Sequence, residues 1–126
     1  MKINKQNYVD EAERVIKGLI RTDKFGNSKL DLTTSKIRNI LSMVSELYTD
    51  AQHSREDKLD ADMVSRVQYL KMRIEAGRER SVKDFVLAAG LLDYAGEIGS
   101  SRQNLILFCN YMEALVAYHK FHGGRD

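Results

Sequence analysis

Proline and tryptophan are missing from this sequence, and cysteine occurs once, at Cys109. Without proline, only glycines, capping side chains and polar loops can end a helix, so long helices are expected. A lone cysteine excludes an internal disulfide, and no CxxC or Cys/His spacing of a zinc site is present. No apolar run approaches the roughly 18 residues of a membrane span. The opening MKINKQNYVDEAE lacks the apolar core of a signal peptide, which predicts a cytoplasmic protein without a membrane partner. Glycines are scattered or paired at Gly123-Gly124, so neither a phosphate-cradling loop nor a dinucleotide fingerprint exists.

What remains is an ordinary globular composition, 43% hydrophobic and 30% charged over 126 residues, which predicts one domain spanning residues 1–126. The net charge of +2 is mild, but it is unevenly spread. Arg66, Lys71, Arg73, Arg78, Arg80 and Lys83 stand against Glu75, Glu79 and Asp84, whereas EDKLDAD at 56–62 is acidic. Segregation of this kind gives a surface an electrostatic polarity that the mean charge hides.

Apolar periodicity predicts an all-α protein, a compact helical bundle of about five helices. The first runs from about Lys5 to Arg21 and is followed by a loop, TDKFGNSKLDL. Thr34 is the expected N-cap of a second helix reaching about Asp50, with Ile37, Ile40, Leu41, Val44, Leu47 and Tyr48 as its stripe. The third spans about Asp57 to Ala76 and ends near Gly77. Ser81 and Asp84 have capping-box spacing for a fourth helix, which Gly90 and Gly96 weaken enough to break or shorten. Ser100 and Gln103 repeat that spacing before the last helix, about Arg102 to His122. Its apolar residues surround most of the wheel, leaving a narrow strip at Glu113 and Lys120, so it is expected to be largely buried at the centre.

Catalytic candidates are few. His119 and His122 stand three residues apart and with Asp126 could hold a metal, but His119 shares a helix side with Leu105, Met112 and Val116. It reads better as a buried histidine bonded to a neighbouring carbonyl or hydroxyl. Cys109 has no adjacent base and reads as a small core side chain. The carboxylates Asp57, Asp60 and Asp62 have no apolar wall to raise a pKa. No catalytic residue, metal or cofactor is expected.

The cations carry more. On the third helix, Arg66 and Arg73 line one margin of the apolar stripe; Lys71 and Arg78 line the other if the helix extends that far. Seven residues separate the members of each pair, about 10.5 Å along the axis. That spacing suits the phosphates of an extended strand, and it equally suits a solvated face whose lysine and arginine stems cover the seam. Lys36 and Arg38 occupy the first turn of the second helix, where the dipole disfavours positive charge. They either point into solvent or mark a phosphate seat. Most tyrosines fall on or near packed faces, so no stacking platform is expected, and contact with nucleic acid would be to its backbone.

Three blocks, LTTSKIRNILSMV (32–44), YLKMRIEAGRERSVKDF (69–85) and FCNYMEALVAYHKFHGG (108–124), resemble the small subunit of the type III-A CRISPR effector, the Csm complex. The resemblance covers about the last three-quarters of the chain. It implies a helical bundle without catalytic activity that touches guide RNA and target RNA, stacks with copies of itself, and bridges the repeated backbone subunit to the large polymerase-like subunit. The family's basic positions fall on Arg38 and on Lys71, Arg73 and Arg78, with Lys36 and Arg80 secondary and the role of Lys120 open. The rival expectation is a helical protein-interaction adaptor with no direct RNA contact.

Overall fold

A computed structural model describes residues 2–125. Six helices form: α1 Tyr8–Leu19, α2 Thr34–His53, α3 Ala61–Glu75, α4 Arg80–Ala89, α5 Leu91–Ile98 and α6 Arg102–Phe121. A small hairpin, β1 Arg21–Thr22 and β2 Ser28–Lys29, lies between α1 and α2. The described residues are all-α apart from that hairpin.

The last helix is the hub, as its all-round apolar character predicted. It buries Leu105, Phe108, Cys109, Tyr111, Met112, Leu115 and His119, with α1 and α2 as its main neighbours and α5 beside them. Its exposed strip runs through Glu113, Ala117 and Lys120. Phe121, the last residue of the helix and expected on an apolar side, is 77% exposed. The stripe of α2 (Ile37, Ile40, Val44, Leu47) and that of α3 (Val67, Leu70, Ile74) enter the same core.

The count of six rather than five comes from Gly90. Its φ of 67° is left-handed, a conformation cheap only for glycine, and it divides the expected fourth helix into α4 and α5. The expected loop after α1 contains an antiparallel ladder, Arg21 opposite Lys29 and Thr22 opposite Ser28. Asp23 builds the turn: its carboxylate accepts from the amides of Phe25 (2.8 Å) and Asn27 (2.9 Å), and Gly26 takes a φ of 80°.

Several caps fall one or more residues from their expected places. Thr33, not Thr34, caps α2 by accepting from the Lys36 amide at 3.3 Å. Asp60 caps α3 by accepting from the Met63 amide at 2.8 Å, and Ser101, not Ser100, caps α6 through the Asn104 amide at 3.1 Å. No Ser81 capping box forms; α4 starts after Glu79, whose carboxylate is engaged elsewhere. Before α3 the chain stays extended because Leu59 is pinned to the start of α6, its amide donating to Ser100 O at 2.8 Å while the Arg102 amide donates to Asp57 O at 3.0 Å. Arg102 also closes the end of α2, donating from Nε to Ala51 O at 2.6 Å, where a helix terminus favours a cation.

Candidate nucleic-acid interface

Helix α3 turns its apolar stripe inward and leaves its margins to charge. On the α2 side, Arg66 donates from Nη1 to Asp50 Oδ2 at 2.7 Å and rests against Met63 Sδ at 3.2 Å. One helical turn beyond Tyr69, Arg73 donates from Nη1 to the Tyr69 hydroxyl at 3.3 Å, and its guanidinium carbon lies 5.8 Å from the ring centroid. Between α2 and α3 these two arginines border a groove lined by Met43, Glu46, Leu47, Tyr69 and Leu70.

Lys71 takes the opposite margin. Its ammonium lies against α5, 3.8 Å from where a Cβ on Gly96 would sit, and 4.0 Å from Glu75 Oε1. Arg78 is not on this margin, because α3 ends at Glu75 with Ala76 as its cap. The helix is broken off where Gly77 fits closely, a Cβ there falling 3.2 Å from Val82 Cγ1. Arg78 therefore projects from the α3–α4 link, and the regular spacing expected from Lys71 is lost.

Lys36 and Glu79 join the first turn of α2 to the residue that precedes α4 as an ion pair, with Arg78 and Arg80 flanking the glutamate in sequence. Arg80 lies 3.8 Å from Asp84 and is almost fully exposed. The amides expected to seat a phosphate at the start of α2 are already used: the Lys36 amide by Thr33, and the Thr34 amide by Arg125 O at 3.1 Å. What the α2 terminus offers an anion is side chains, with Arg38 exposed two residues along.

The seven cations thus divide by partner. Lys36, Arg66, Lys71 and Arg80 face carboxylates. Arg38, Arg73 and Arg78 are exposed and have no carboxylate partner among the described residues. The structure also adds side chains that the sequence did not mark: Tyr69 and Met72 are 57% and 52% exposed, Tyr69 being the exception to the expected packing of most tyrosines. Met72 lies on the helix side opposite the Leu70/Ile74 stripe and Tyr69 between the two, which was the available signal.

The profile describing type III-A Csm2 proteins matches residues 10–125. This chain belongs to the Csm2 type III-A family. The CRISPR system Cms protein Csm2 of Streptococcus thermophilus is 47% identical over 123 residues, covering 96% of this chain and 95% of the relative. The Csm2 protein of Mycobacterium tuberculosis is 40% identical over 128 residues, covering 100% and 99%. That of Enterococcus italicus is 35% identical over 96 residues, covering 72% and 68%. The resemblance drawn from three blocks therefore extends over nearly the whole Csm2 chain, the first helix included.

The remaining candidates in this Csm2-family chain are packed. His119 is 1% exposed and its Nε2 donates to the Leu32 carbonyl at 2.6 Å, the carbonyl-bonded core histidine that its helix side predicted. His122 lies against Tyr118 and Phe121, and Asp126, the third metal ligand considered, is outside the described residues. Among the described residues no group of three His, Cys, Asp or Glu is placed to hold a metal ion. Cys109 is buried, and burial pushes its thiol up to about 12, far from a reactive thiolate. No described helix is long and apolar enough to cross a membrane.

Proposed function

We propose that this chain is a non-catalytic, RNA-backbone-binding subunit of a type III-A CRISPR effector acting in the cytoplasm in antiviral defence. It folds as one unit and works beside copies of itself, touching guide RNA and target RNA while it bridges the backbone subunit and the large polymerase-like subunit. The observation that carries the reading is the exposed set Arg38, Arg73 and Arg78, which have no carboxylate partners among the described residues of a Csm2-family chain. The paired cations do not oppose it. Exposed ion pairs contribute about 0–1 kcal/mol, so a phosphate can exchange with Asp50, Glu75, Glu79 or Asp84 at little cost. Few contacts per copy imply weak binding by one copy and firm binding by a stack.

The test is charge reversal at Arg38, Arg73 or Arg78, read as RNA affinity against salt concentration. Each lost phosphate contact flattens the log–log slope by about 0.7 and weakens all sequences alike. Unchanged affinity and slope in all three variants would remove these residues from the interface.

A second reading, a helical adaptor with no direct RNA contact, is favoured by Leu87 and Phe121, 76% and 77% exposed, which fit protein neighbours better than a polyanion. Filter binding with the assembled complex separates the two: RNA retention that survives loss of all three arginines supports the adaptor.

A further inference from the structure

We propose that the exposed side of α3 carries a stacking site for one unpaired RNA base, with Tyr69 as the platform and Arg73 holding the adjoining phosphate. The proposal rests on the RNA-binding reading above and adds what the strand presents at this face. Tyr69, Met72 and Arg73 stand at i, i+3 and i+4, so they lie side by side on one surface of the helix. The inward stripe of α3 is already filled by Val67, Leu70 and Ile74, and the ring lies outside it. An aromatic there adds nothing to the core.

The ring is nonetheless held in place. Arg73 reaches back to the phenol oxygen at 3.3 Å and sets its guanidinium 5.8 Å from the ring centre, which restricts both side chains before any ligand arrives. Restriction in advance lowers the ordering cost of binding. Inboard, the α2–α3 groove has an apolar floor of Met43, Leu47 and Leu70 between Arg66 and Arg73, with Glu46 also lining it. Its volume, about 210 Å³, is below the roughly 300–1,000 Å³ of pockets that enclose drug-sized ligands. A single flat ring fits such a space better than a run of peptide.

The chemistry selects the occupant. Tyr69 asks for a π face, Met72 for a polarisable contact, and Arg73, without a carboxylate, for an anion. An unpaired nucleotide supplies all three together. A duplex hides its base faces, and an acidic peptide brings charge without a ring. Stacking on tyrosine tolerates any base, so the site adds affinity without sequence preference.

The test titrates the 126-residue chain, at low salt, into single-stranded RNA carrying one fluorescent purine analogue, and into the same strand as a duplex. The expected result is quenching of the analogue and tighter binding to the single strand. Tyr69→Leu abolishes the quenching and weakens binding about tenfold, Tyr69→Phe keeps both, and the salt slope stays unchanged because no phosphate contact is removed. Binding without quenching, or a Tyr69→Leu protein that behaves as the parent, overturns the stacking site and leaves the backbone-contact reading intact. Absence of RNA binding by both the chain and the assembled complex removes both readings. Should Tyr69→Leu keep full RNA affinity but fail to enter the complex, the face belongs to a protein neighbour and the proposal is overturned.

Discussion

The hydroxyl of Tyr111, at the centre of α6, donates to the carbonyl of Ala89 at 2.8 Å inside the core. Ala89 is the last residue of α4, just before the left-handed Gly90, where helical carbonyls lose their regular partners. Tyr111 is fully buried and meets Tyr94 edge to face at 5.4 Å, so it both fills space and satisfies the helix break. Tyr111→Phe keeps the packing and leaves that carbonyl unpaired, an expected loss of about 1–3 kcal/mol. Urea denaturation measures it; an unchanged midpoint would show that the break needs no such partner.

Gly124 is expected to tolerate no side chain. A Cβ there would overlap the His119 ring, whose own position is set by Leu32. Gly124→Ala therefore lifts the tail off His119 and withdraws Arg125 O from the Thr34 amide. Hydrogen exchange at Thr34 should accelerate in this variant while amides in the middle of α6 keep their protection. Equal rates at Thr34 in the two proteins would contradict the arrangement.

Cys109 should be silent to thiol reagents in the native state. It is 4% exposed and its Sγ faces the Val44 carbonyl at 4.0 Å, and burial holds its pKa near 12. A colourimetric disulfide reagent at neutral pH is expected to find no thiol in the folded chain and one after guanidinium is added. Rapid labelling of folded protein would mean that α2 and α6 separate readily.

Acid should weaken the fold through two carboxylates. The hydrogen bond from Arg14 holds Glu11 below its ordinary 4.5, and that from Arg21 holds Asp31 below its ordinary 3.8. A depressed folded-state pKa contributes stability above the unfolded value and loses it as pH falls through the folded one. Denaturation midpoints should therefore hold at neutral pH and decline below about pH 4.5. Both pairs are surface pairs, so the decline is shallow, and Arg21→Ala should reduce it.

Helical spacing made much of this architecture legible. The stripes of α2 and α3 and the central place of α6 follow from where apolar residues recur, because burial is a property of one helix face at a time. Caps were harder. Thr33 and Thr34, or Ser100 and Ser101, are chemically alike, and the choice between them depends on contacts such as Leu59 with Ser100 that join distant parts of the chain. The cations were visible as residues and not as partners: Asp50 lies sixteen positions from Arg66, and Glu79 lies forty-three from Lys36. The exposure of Tyr69 was not legible, because whether a residue outside the apolar stripe is covered depends on how closely the next helix approaches.

The bond from the Thr34 amide to the Arg125 carbonyl joins residues ninety-one positions apart in the sequence. During synthesis, a nascent chain can wind its second helix and cap it with Thr33 early, yet the Thr34 amide has to wait for its partner until residue 125 has cleared the ribosomal exit tunnel. A stalled translation product lacking residue 125 should show the Thr34 amide exchanging faster, while Lys36 keeps its Glu79 partner.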